Sequence, residues 1–149
     1  MPATHLLHPD RIAVLDDPVD RDGVLAEAAR LLTLDSAGDT AAIAECLRQR
    51  ERLGSTAIGH GVAIPHGRCN TFDDARASFL RLREPTDFEA GDGTPVDLVF
   101  AMTVPRHFTQ QHLQLLSELA ETFADPGFRA ALRAAPDADA LRGVLQVRG

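Results

Sequence analysis

Apolar positions recur along the chain with two periods, and their succession sets out the elements. Between positions 20 and about 34, Val24, Leu25, Ala28, Leu31 and Leu32 fall at helical spacing behind an acidic start able to cap a helix. A second helix is predicted over positions 40 to about 50, with Ile43 and Leu47 four apart, Thr40 as its cap, and Leu53, Gly54 and Ser55 stopping it. Positions 55–68 read STAIGHGVAIPHGR, in which Gly and Pro punctuate short β-prone pieces; strand, turn, strand and exposed loop are expected. Positions 77–82 alternate as a strand does, and VDLVFAMTV at 96–104 is the near-continuous apolar run of a strand covered on both faces. Behind Pro105 a helix is predicted from about 110 to 124 on the stripe Leu116, Leu119, Ala120 and Phe123. Asp125-Pro126 caps a short helix to position 134, and Asp137 opens a last one through Leu141, Val144 and Leu145. This order predicts an α/β fold: a mixed, mostly parallel sheet sandwiched between helices.

Length and composition narrow the chemistry. The 149 residues fit a single domain, 1–149, with no internal repeat or linker, and 44% apolar residues suffice for a layered core. All 15 basic residues are Arg; without Lys, Tyr or Trp the chain owns no Schiff-base Lys, no Walker-type phosphate loop and no Tyr nucleophile. A formal charge of -7 disfavours nucleic acid as a partner. Cys46 and Cys69 form no CxxC pattern and read as ordinary reduced residues. With no secretory signal and no long apolar span, the reading is cytoplasmic, with no insertion into a membrane.

Candidate chemistry gathers on His and Arg. His5 and His8 lie near a terminus expected to fray, and His107 in a loop, so all three are set aside. His66 sits between the stiffening Pro65 and the bulk-free Gly67, where another molecule can reach it, and a neutral imidazole is a competent nucleophile toward phosphorus. His112 is a core histidine, or a helix-borne one presented to a neighbouring imidazole or phosphoryl oxygen. His60, between two glycines, reads first as a turn residue and second as another imidazole near His66. Arg50 falls seven positions after Ile43 and so within about 20° of the apolar face, as a core-covering stem or as a directed cation; Arg48 and Arg52 point away. A metal held by His60, His66 and His112 has no HExxH or Cys/His signature behind it.

The segment STAIGHGVAIPHGR resembles the active-site signature of type 2 enzyme IIA domains, the fructose/mannitol class of the bacterial phosphoenolpyruvate-dependent phosphotransferase system. The pattern is nearest to that family's stand-alone, nitrogen-regulatory branch. The resemblance extends over RQRERLGST, PVDLVFAMTVP, QHLQLLSELAETF and DADALRGVL, essentially the whole chain. It implies the mannitol-IIA-like fold, and it implies that His66 carries the phosphoryl group on Nε2 (tele-phosphohistidine), with Arg50 and His112 as its catalytic companions. His66 would take the group from a phosphohistidine on an HPr- or NPr-type carrier. No cofactor is needed, the phosphoryl group coming ultimately from phosphoenolpyruvate.

Around that centre, Arg50 would neutralise phosphoryl oxygens, Gly61 and Gly67 would allow close approach, and Ser55 and Thr56 would donate hydroxyls or merely start a strand. Arg52 and Arg68 would add positive potential. His60 departs from the Asn or small polar residue expected there and is a candidate modulator of phosphohistidine lifetime. The branch further implies control of nitrogen, potassium or carbon responses through a transporter or sensor kinase. Alternatives are a sugar-specific IIA passing the group to a separate IIB, a phosphorylation-independent binding module, and a metal-dependent hydrolase.

Overall fold

A computed structural model describes residues 3–148. A short 3-10 turn leads into β1 (Leu7–Leu15), and then come α1 (Arg21–Leu32), α2 (Thr40–Leu53), β2 (Ala57–Gly59), β3 (Val62–Ala63) and β4 (His66–Arg68). These are followed by β5 (Arg76–Thr86), β6 (Val96–Val104), α3 (Gln110–Phe123), α4 (Pro126–Ala134) and α5 (Ala138–Arg148). The strands form one mixed sheet in the order β1-β5-β6-β3-β2, with β4 also paired to β6. The β1–β5, β3–β6 and β4–β6 pairs are parallel, and β5–β6 and β2–β3 antiparallel. The expected layered, mostly parallel α/β arrangement is present.

β6 lies at the centre, and its alternation assigns its side chains to two cores. Leu98, Phe100 and Met102 pack on one face with Leu119, Phe123, Phe128, Leu132 and Leu141 of α3, α4 and α5. Val99 and Ala101 face Val24, Leu25, Leu32, Ile43 and Leu47 of α1 and α2. Helices thus cover both faces, as the continuous apolar run of β6 requires.

Local signals place most boundaries. Asp20 caps α1 by accepting from Gly23 N–H at 2.8 Å, and Asp125 caps α4 by accepting from Gly127 N–H at 2.9 Å. Thr40 does not cap α2. It is that helix's first residue, and its hydroxyl pairs with Thr33 Oγ1 at 2.5 Å. The N-terminal stretch expected to fray forms edge strand β1, which carries His8; Pro9 and a register shift between Leu7 and Ile12 hide its period-two pattern. Ala120, assigned to the apolar stripe of α3, is exposed, because the buried face of that helix narrows to Leu119 and Phe123. No helix among the described residues is long and apolar enough to cross a membrane.

Candidate functional site

Three elements converge at one end of the sheet. β4 pairs in parallel with β6, placing His66 opposite Met102, so the histidine expected on an exposed loop starts a short strand and is half-buried. α2 brings Arg50 in its last turn, and α3 brings His112 in its first. The rings of His66 and His112 lie 5.2 Å apart, inclined at 51°. An open cleft of about 910 Å³ runs past Arg50, His66, Gly67, Arg68, Arg106 and His112.

His66 Nδ1 is 2.7 Å from the carbonyl oxygen of Ile64. A carbonyl only accepts, so Nδ1 carries the proton and Nε2 keeps its lone pair. Burial pushes the His66 imidazole below its ordinary value; the Ile64 hydrogen bond opposes this and the Arg50 charge adds to it. Burial likewise lowers His112, to about 4, helped by His66, Arg68 and Arg50. Both rings are therefore neutral near pH 7. His112 Nδ1 is buried with no hydrogen-bond partner among the described residues, a polar atom left available beside His66.

The cleft is electropositive although the chain is acidic. Arg50 donates to the Gly54 carbonyl at 2.9 Å, which pins its guanidinium at the end of α2. Among the described residues Arg50, Arg68 and Arg106 have no carboxylate partner, and all three line the cleft. Arg52, expected to contribute, is spent in an ion pair with Glu45 at 3.2 Å. Arg106 takes that place; in sequence it was one Arg after a Pro, with nothing to mark it. A second groove, about 340 Å³, adjoins His66 and Arg50 on the side of Ile58, Leu116 and Ala120.

Several expected contributors are placed elsewhere or already engaged. The Ser55 hydroxyl donates to the Phe88 carbonyl at 2.5 Å, and the Thr56 hydroxyl to Glu51 Oε2 at 2.7 Å. Neither has a proton left for a ligand, so both are the strand-start residues of the alternative reading. Thr56 N–H also donates to Glu51 Oε1 at 3.1 Å, making buried Glu51 the clamp that joins α2 to β2, a role that no local pattern marks. His60 and Gly61 form the two-residue turn between β2 and β3, with φ of 57° and 78°, as a type I′ hairpin needs. His60 N–H donates to Asp92 at 2.9 Å, and its carbonyl accepts from Arg133 at 2.6 Å. That turn lies near Asp97 at the start of β6, five residues back along the strand from Met102 and roughly 16 Å away at ~3.3 Å per residue. Neither His60 nor Gly61 therefore reaches His66, and only Gly67 of the two glycines borders the cleft. No group of three His, Cys, Asp or Glu among the described residues is placed to hold a metal ion.

The two cysteines are not reduced: Cys46 and Cys69 are joined by a disulfide spanning 23 residues. Sequence spacing could not reveal this, since only the packing of α2 on β4 brings them together.

A sheet covered on both faces, with a half-buried His, a helix-end Arg and a second His around an electropositive cleft, describes a phosphoryl-handling domain. The family model for "Phosphoenolpyruvate-dependent sugar phosphotransferase system, EIIA 2" matches residues 5–147, and the chain belongs to that family of phosphotransfer proteins. It is 39% identical to a nitrogen regulatory protein of Bradyrhizobium diazoefficiens over 97% of this chain and 95% of that one. The crystal structure of nitrogen regulatory protein IIA-Ntr from Neisseria meningitidis superposes with a TM-score of 0.85 at 41% identity, covering 95% of this chain and 97% of that one. This chain is also 33% identical, over its full length, to 23% of the 2-O-alpha-mannosyl-D-glycerate-specific EIIABC component of Escherichia coli.

Proposed function

We propose that the chain, acting as one domain, is a phosphocarrier that accepts a phosphoryl group on His66 Nε2 and signals through its phosphorylation state. The observation carrying this reading is the hydrogen bond from His66 Nδ1 to Ile64 O, which leaves Nε2 as the nucleophilic nitrogen of a residue lining a cleft with three arginines that have no carboxylate partner among the described residues. The lone pair of Nε2 attacks phosphorus on a phosphohistidine of an HPr- or NPr-type carrier in line with the breaking bond. One N–P bond forms as another breaks, and the donor imidazole departs. Arg50 and Arg68 balance the charge on the phosphoryl oxygens, and Gly67 keeps the approach open. His112, neutral beside it, offers a ring N–H to a phosphoryl oxygen. Exposed Leu53, Ile58 and Leu113 edge the two grooves and suit a protein partner rather than a small substrate.

Resemblance to nitrogen regulatory proteins over nearly the whole chain favours a regulatory output, through a transporter or sensor kinase in the cytoplasm, over sugar uptake. The match to an EIIABC component supports the second reading, a IIA passing the group to a IIB.

Intact-protein mass spectrometry at alkaline pH, after incubation with phosphoenolpyruvate, enzyme I and an HPr-type carrier, tests the proposal. One acid-labile phosphoryl addition is expected, absent from His66→Ala. No addition with any carrier overturns it, and transfer onward to an isolated IIB would favour the second reading.

A further inference from the structure

We propose that Cys46 and Cys69 are a reversible thiol/disulfide modification site that sets the geometry of the phosphoryl centre. The bond joins α2 to the residue that follows β4. Cys46 lies one helical turn before Arg50 on α2, and Cys69 three residues after His66, so the cross-link ties the element carrying the cation to the one carrying the nucleophile. Both sulfur-bearing residues line the same cleft as Arg50, His66 and His112. Cys46 Sγ also rests on the backbone beside His66: a Cβ built at Gly67 would lie 2.6 Å from it. Any movement of that sulfur is felt at the residue adjoining the nucleophile.

The surroundings suit exchange chemistry. Cys46 is partly exposed to the open cleft and Cys69 is buried, so an incoming thiolate reaches the Cys46 sulfur first. Arg50, Arg68 and Arg106, none with a carboxylate partner among the described residues, favour the thiolate form of either cysteine. In the reductive direction, one thiolate of a dithiol attacks Cys46 Sγ. A mixed disulfide forms and Cys69 leaves as a thiolate, which takes a proton. The second thiolate of the dithiol then displaces Cys46, which is protonated in turn, and the dithiol departs as a disulfide, its two electrons now held by the cysteine pair. In the oxidative direction a disulfide of the same class accepts two electrons from the cysteine pair. The tether fixes the element bearing Arg50 relative to the one bearing His66 in the shared cleft, which is pre-organisation for charge stabilisation; reduction frees α2 to shift on β4.

The covalent change is independent of the proposed phosphocarrier role, and only its consequence for transfer rests on that role. The full chain is equilibrated in mixtures of reduced and oxidised dithiothreitol. Free thiols are counted by alkylation and intact mass, and the His66 and His112 ring signals are followed by NMR, with Cys46→Ser and Cys69→Ser alongside. The expected result is one reversible two-electron transition, movement of the His66 ring signals with it, and no such response in either variant. Phosphoryl acceptance by the wild type should fall several-fold on reduction. Two free thiols under fully oxidising mixtures, or a disulfide whose reduction leaves the His66 signals unmoved, would overturn the proposal. Absence of phosphoryl transfer in both redox states, with the thiol and ring responses intact, would count against the phosphocarrier reading and leave the modification site standing.

Discussion

His66 on β4 and His112 on α3 stand with ring centroids 5.2 Å apart, and the His66 ring adds to the burial that lowers the readiness of His112 to protonate. The contact exists because β4 runs parallel to β6 while α3 begins just beyond that strand's end, so one side of the sheet delivers both rings.

NMR titration should find neither ring titrating at the ordinary imidazole value near ~6.5, with His112 protonating at about 4. Phosphoryl acceptance should then stay level from pH 8 down through 6.5. The sign for stability follows by linkage. A lowered histidine value in the folded chain means that the unfolded chain binds more protons between the two values, so stability is full above ~6.5 and is lost as pH falls toward 4. A His112 midpoint near 6.5 would contradict the buried placement.

Arg50→Ala should slow phosphoryl acceptance by about 10²-fold, the usual consequence of removing one fixed donor to developing charge. Arg50→Lys should recover only part of the loss, because a compact ammonium lacks the planar fork whose separate nitrogens reach Gly54 O and a phosphoryl oxygen together. Single-turnover rates with a phosphorylated carrier would check this. Equal rates for Arg50→Ala and wild type would remove Arg50 from the chemistry.

Glu51→Gln should destabilise the chain by about 1–3 kcal/mol in urea unfolding. The amide sets one N–H₂ group against the Thr56 N–H or O–H, leaving a buried donor unpaired. Because Thr56 follows the turn after α2, the variant should also slow acceptance through displacement of Arg50.

Phe123→Ala should cost about 3–5 kcal/mol, a loss readable as a lowered urea midpoint. Its ring packs against Phe79, Phe100 and Phe128, with centroids at 6.3, 6.1 and 5.4 Å, so truncation opens the core beneath α3.

His60→Asn should leave both stability and phosphohistidine lifetime within experimental error of wild type, since Asn accepts the positive φ of a type I′ turn as readily as His does. A lifetime changed several-fold would restore His60 as a modulator acting at a distance.

The helices and the central strand were legible in the sequence because each is a local pattern: the α1 stripe, the Asp20 and Asp125 caps, and the unbroken apolar run of β6 state their own burial. β1 was not legible, because Pro9 and its register shift break the alternation of an edge strand. The segment 55–68 could be marked as the site from Gly, Pro and His spacing, but it resolved into three short strands whose ends only pairing with β6 and β3 decides. His66 is a motif residue in sequence; its protonated Nδ1 is a tertiary fact, fixed by the Ile64 carbonyl.

The sequence by itself determined the α/β order, the absence of Lys and Tyr chemistry, and which histidine stands in a reachable, glycine-flanked position, since these depend on residue type and near neighbours. Tertiary structure alone decided that Arg106 joins the cleft while Arg52 is spent on Glu45, that Ser55 and Thr56 turn inward, that His60 stays in its hairpin, and that Cys46 meets Cys69. Each of these depends on which groups from distant parts of the chain come within bonding distance, and that distance is set by the packing of α2, α3 and β4 around β6 rather than by any spacing along the chain.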